Sequence, residues 1–116
     1  MSRGLRNNNP GNIRINPDHF QGEIRPGRDK EFKQFDSMAY GYRAMLKMLR
    51  NYRKNRGLKC LREWISRWAP ANENDTEAYI LYVAGFAGIS ADAEIDTSDR
   101  GLMCRIVAGM SQIDVL

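Results

Sequence analysis

Turn-forming residues crowd the front of the chain. Asn9-Pro10-Gly11, Asn16-Pro17 and Pro26-Gly27 all fall in RNNNPGNIRINPDHFQGEIRPGRDKEFKQF, residues 6–35. Proline withholds a backbone donor, and Asn and Gly accept tight reversals, so this stretch favours loops and a short hairpin over helix. From Asp36 the apolar residues recur at spacings of three and four, the signature of amphipathic helices. That single change of period predicts an α+β fold, mainly α. A loop and small β-hairpin over 1–35 rest on a helical core over 36–116. The 116 residues make one domain.

The hairpin strands are expected near HFQGEI (19–24) and EFKQF (31–35), joined by RPGRDK, whose Pro-Gly pair suits a type II turn. Phe20, Ile24, Phe32 and Phe35 would supply its apolar face. A lone hairpin is marginal in water and must lean on helices. Asp36 or Ser37 can cap the first helix, which carries Tyr40, Ala44, Met45, Met48, Leu49 and Tyr52 and stops near Gly57. LKCLREWISRW aligns Leu61, Trp64, Ile65 and Trp68, and ends before Pro70. A third helix begins at Asn74, Asp75 or Thr76 and buries Tyr79, Ile80 and Val83, with Phe86 as a further candidate. The last runs roughly from 98 to 110 and buries Leu102, Ile106 and Met110, with Cys104 or Val107 at its margin.

Charge is distributed unevenly. Residues 1–62 hold 15 Lys/Arg against 5 Asp/Glu, a net of +10, whereas residues 63–116 hold 3 against 9, a net of −6. Such asymmetry fits either an anionic partner on the basic side or mutual neutralisation in the fold. No apolar run has the length of a signal peptide's core or of a membrane span, so a role beyond the cytoplasm requires delivery by something else. Cys60 and Cys104 sit in LKCLREW and GLMCRIV and are expected to be buried thiols, too few for a disulfide framework. A single histidine, His19, excludes a multi-histidine metal site.

Acidic residues decide whether glycan chemistry is possible. Cleaving a glycosidic bond requires a carboxylic acid that keeps its proton near neutral pH, which apolar surroundings favour. Glu23, between Phe20 and Ile24 and beside Gly22, is one candidate. It could equally be a strand carboxylate paired with Arg25 or Arg28. Glu73 and Asp75 stand where a helix begins, a place that favours the ionised form and suits a cap. Asn7, Asn8, Asn9 and Asn12 could hydrogen-bond sugar hydroxyls, or simply build turns.

RGLRNNNPGNIR, FQGE, FKQF…GYRAMLKMLRNYR and ISRWAPANENDTEAYILYVAGFAGI together resemble a family of small phage, prophage and gut-bacterial proteins over about residues 3–89. Its members are commonly labelled phage structural or virion proteins. They also look like a trimmed lysozyme-like domain of the lytic transglycosylase and glucosaminidase kind, which cuts peptidoglycan. The resemblance implies that Asn9, Asn12 and Arg14 line a sugar groove, with Gly22 and Glu23 in the hairpin beside it and Tyr79 on the helix behind. Asn8, from the same Asn-rich run, is a further expected sugar contact. In those wall hydrolases the acid ends a helix upstream of the Asn-rich segment. This chain starts almost at that segment, so Glu23 is the local substitute and Glu73 the second choice. Phe20 stands where Trp is frequent.

The resulting expectation is a phage-associated peptidoglycan hydrolase of the transglycosylase or muramidase type, working on glycan strands without metal or cofactor. It would be made in the bacterial cytoplasm and act in the periplasm, in the cell wall or as part of a virion. The alternative is a non-catalytic virion or wall-binding protein. Nucleic-acid binding by the basic helix 38–56 ranks third, because no helix-turn-helix spacing, zinc set or RNA-binding signature accompanies it.

Overall fold

A computed structural model describes residues 1–115. The chain is mainly helical, in the order α1 (Arg3–Arg6), β1 (Glu23–Ile24), β2 (Gln34–Phe35), α2 (Met38–Arg56), α3 (Leu61–Trp68), α4 (Thr76–Ala87) and α5 (Arg100–Asp114). It divides into two compact units, one comprising Met1–Lys47 with the residues from Ser111 onward, the other Met48–Met110. The division falls inside α2 and α5. No helix among the described residues is long and apolar enough to cross a membrane.

In the first unit the ladder is shorter than the apolar alternation predicts. β1 and β2 are antiparallel, pairing Glu23 with Phe35 and Ile24 with Gln34. A separate bridge joins Arg14 to Phe32, flanked by Ile15 N–H to Glu31 O and Lys33 N–H to Ile13 O, both 2.9 Å. The chain thus folds back on itself over residues 13–35 in three extended pieces. α1 is not foreseen by the sequence reading. Ser2 caps it by accepting from the Leu5 N–H. At the start of α2 the Ser37 hydroxyl accepts from the Tyr40 N–H at 3.3 Å, one of the two caps expected. Gly41 is required by proximity: a Cβ there would stand 2.3 Å from the Asn8 carbonyl oxygen and 2.4 Å from Pro10 Cδ. The Asn-Pro turn therefore seats directly on the first turns of α2.

The second unit follows the helical periodicity closely. Leu49, Leu61, Trp64, Ile65, Ile80, Val83, Ile95, Ile106 and Met110 are all fully buried. The Trp64 indole N–H donates to Leu58 O at 2.8 Å, which removes the cost of burying it. Asp75 caps α4 through the Ala78 N–H, and Gly88, at φ +74°, ends it in the left-handed conformation. Four expectations need correction. Phe86 is 45% exposed. Met103 takes the core position on α5, leaving Leu102 half-buried. Trp68 is half-buried and stands edge-on to Tyr52 at 6.3 Å. Cys104 is exposed and Cys60 half-buried, so neither thiol is a core hydrophobe.

Candidate functional site

The hairpin of the first unit encloses a cleft of about 460 Å³, within the range of small-ligand sites. Ile15, Ile24, Pro26 and Phe32 give it apolar walls, and Glu23, Arg25, Asp29, Lys33 and Gln34 add polar groups. Both members of the Glu23–Lys33 pair are withdrawn from solvent, with side chains 2% and 0% exposed. The Lys33 ammonium lies 3.0 Å from each Glu23 oxygen and donates also to Asp18 O at 2.7 Å. Glu23 further accepts from Arg25 Nε at 2.7 Å and from the Phe20 N–H at 3.1 Å. Arg25 in turn donates to the carbonyls of Asn16 and Asp18. One buried carboxylate thereby fastens residues 16–25 to the segment bearing Lys33, just ahead of β2.

That geometry sets its charge state. Burial alone pushes the Glu23 carboxyl up, but the hydrogen bonds from Arg25, Lys33 and the Phe20 amide outweigh it and hold the group below its ordinary range. Burial dominates at Lys33 and pulls its ammonium below the usual value, while Glu23 works against that pull. The two directions differ in which influence prevails. The bidentate 3.0 Å contact and the additional cation from Arg25 are those of an ion pair, with Glu23 charged.

Asp29, on the same cleft, is a second fixed anion. Arg3 grips it with two nitrogens at 2.9 and 2.6 Å, and the N–H groups of Glu31 and Phe32 and the Asn7 amide also donate to it. Arg3 above all holds this carboxyl well below the usual carboxylate range.

The asparagines expected to face sugar are turned into the protein. Asn9 is fully buried; its amide nitrogen donates to the carbonyls of Ile13 and Lys33, and its oxygen accepts from the Ile13 N–H. It cannot touch a ligand in this conformation. Asn8 and Asn12 take left-handed backbone, φ +52° and +47°, and their amides donate to Phe35 O and Asp114 O. Asn is the residue that tolerates this conformation best after Gly. Asn7 is 1% exposed.

Arg14 is exposed, 5.1 Å over the Phe32 ring and 3.5 Å from Glu31. Gly22, at φ +79°, offers no open approach for a polymer on its Cβ side, since a Cβ would fall 2.2 Å from the Tyr40 ring. Of the other two expected site residues, Glu73 is exposed ahead of α4 and Tyr79 is buried with its hydroxyl donating to Met110 O; both belong to the second unit. Glu23, the three asparagines, Arg14 and Gly22 therefore all belong to the first unit, and Glu73 and Tyr79 to the second.

Lys33 and Asp29 escaped the sequence reading. Strand alternation carries a signal for Lys33: it lies two residues before Phe35, on the same face, so a buried Phe35 predicts a buried Lys33 in need of a carboxylate.

No family model matches the chain. It is 41% identical over 98 residues to Protein P5 of Pseudoalteromonas phage PM2, a stretch covering 82% of this chain and 61% of that protein. The chain thus spans about three fifths of the length of this curated relative, which is a phage protein.

Proposed function

We propose that the chain is a non-catalytic protein of phage origin, a virion structural component whose hairpin cleft docks a partner rather than cutting one. Similarity to a phage protein supports the setting. The charge state of Glu23 carries the rest. A general acid must hold its proton until the leaving oxygen needs it, and a carboxylate paired with Lys33 and Arg25 has already released it at neutral pH. The amides that would read a sugar instead tie backbone to backbone.

Digestion of purified peptidoglycan, followed by muropeptide analysis, tests this reading. The wild type, Glu23→Gln and Glu73→Gln are all expected to release no reducing ends and no anhydro-muropeptides. Products from the wild type that vanish in either variant would overturn it.

The hydrolase reading keeps one observation in its favour: Glu23 lines a cleft of about 460 Å³. Under that reading glycan strands occupy the cleft, and a substrate must first draw Lys33 and Arg25 away so that Glu23 can take up a proton. Activity would then rise as pH falls toward the carboxylate range.

A further inference from the structure

From the unpaired cations on the outer face of α2 we propose that this helix binds the phosphate backbone of duplex nucleic acid, without reading its sequence. The proposal is independent of whether the hairpin cleft is catalytic. α2 carries Arg43, Lys47, Arg50, Arg53, Lys54 and Arg56 and not one acidic residue. Arg43, Lys47, Arg50 and Lys54 follow at steps of four, three and four. They share an arc of about 60° and a line about 16 Å long on the helix. Like charges at these spacings destabilise a helix, so the stripe is maintained against local physics. The attraction of a helix C-terminus for cations accounts for Lys54 and Arg56, but not for Arg43, Lys47 and Arg50 further up.

Elsewhere among the described residues several guanidinium groups are matched with acids, although others, Arg28 and Arg67 among them, are not. Arg3 meets Asp29, Arg25 meets Glu23, Arg62 meets Glu77 and Asp92, and Arg53, on the flank of α2, meets Glu94. Among the described residues no carboxylate lies within ion-pair distance of Arg43, Lys47, Arg50 or Lys54. The chain has 14 acidic residues to deploy. Mutual neutralisation, one of the two meanings of the uneven charge, therefore fails on this face.

Charge spacing and aromatic placement narrow the partner. Cations about 4.5–6 Å apart along the helix are close enough to meet successive phosphates of one strand. Single-strand binders add exposed aromatic platforms on which bases stack. Here Tyr52 is buried, Tyr42 bonds Ser111 through its hydroxyl, and Tyr40 packs over Gly22. With no exposed ring on α2, the face suits duplex phosphates and not unstacked bases.

The test is fluorescence anisotropy of the full chain with an arbitrary 20-base-pair duplex and with the corresponding single strand, across a salt series. Four phosphate contacts predict a slope of log K against log salt of about −3.6, hence roughly a hundredfold loss of affinity between 50 and 200 mM. Replacing Lys47, Arg50 and Lys54 together with Gln should bring the slope to about −1. A matched triple variant at the exposed cations Arg28, Lys30 and Lys59 removes the same charge and should leave the slope near its original value. Circular dichroism confirms that each variant is folded. Absence of duplex binding, equal losses in the two triple variants, or tighter binding of the single strand would each overturn the proposal. So would retention on insoluble peptidoglycan that disappears in the α2 variant while the duplex goes unbound, which assigns the face to a wall polymer.

Discussion

In the unit formed by Met1–Lys47 and the chain's last residues, the buried side chains include Asn7, Asn9, Lys33 and Ser111; in Met48–Met110, the fully buried ones are Trp, Leu, Ile, Val and Met. Every buried polar or charged side chain among the described residues falls in the first unit. That unit has two two-residue strands, and its large fully buried apolar side chains are Phe35 and Met45. Hydrogen bonds among polar groups specify its conformation, although the side-chain oxygens of Asn7 and Asn12 are buried there without a partner, and such partial satisfaction is costly. The second unit relies on dense apolar packing, which tolerates change of shape better than loss of volume. The residues that look most like a binding site are thus occupied in building the fold.

Substitutions in both units can sharpen or break this contrast. Trp64→Ala should have the largest effect, about 4 kcal/mol, because it empties a large fully buried volume and orphans Leu58 O. Urea unfolding followed by circular dichroism measures it. Hydrogen exchange should show the loss concentrated in 48–110; uniform loss would mean the two cores are not distinct in kind.

Glu23→Gln should cost roughly 3 kcal/mol by leaving Lys33 buried without its counter-charge. Adding Lys33→Met should recover much of that loss, and recovery of nothing would mean the pair is not what holds the hairpin. The pH dependence has a definite sign. Glu23 is held below its ordinary value of 4.5, so its contribution is complete above about pH 4.5 and fades as pH falls through the folded value. Asp29 acts in the same sense from 3.8 downward. Protection of first-unit amides should therefore weaken on acidification, and less so in Glu23→Gln.

Asn9→Ala should cost about 2 kcal/mol, since the Ile13 N–H and two carbonyls lose their partner in a buried place. A thermal midpoint equal to that of the wild type would remove Asn9 from the polar framework. Cys104→Ser, on the exposed side of α5, should stay within about 0.5 kcal/mol of the wild type. A larger loss would return that thiol to the core.

The helical half was the more legible. Spacings of three and four located α2 to α5, Ser37 and Asp75 served as caps from among those expected, and Gly57 and Gly88 have positive φ where α2 and α4 end. Errors there concern which side of a helix margin faces inward, as with Phe86 and Met103. On α4, apolar residues run nearly all round, so periodicity carries no preference between faces. In the first unit the turn dipeptides located the loops, but α1 was too short for any period to show. The Asn-rich run read equally well as turn or ligand surface, since an amide donates and accepts in either direction.

The sequence by itself determined that the chain is mainly helical behind a turn-rich front, because helices and turns depend on residues within a few positions of each other. Only the tertiary structure decided what the polar residues do. Asn12 reaches Asp114 across 102 positions, Asn7 and Arg3 converge on Asp29, and Lys33 finds Glu23 instead of solvent. Such partnerships depend on where the backbone returns, and a buried charge or amide takes whichever complementary group the folded chain brings within about 3 Å, since leaving it unpaired costs more than any local preference supplies.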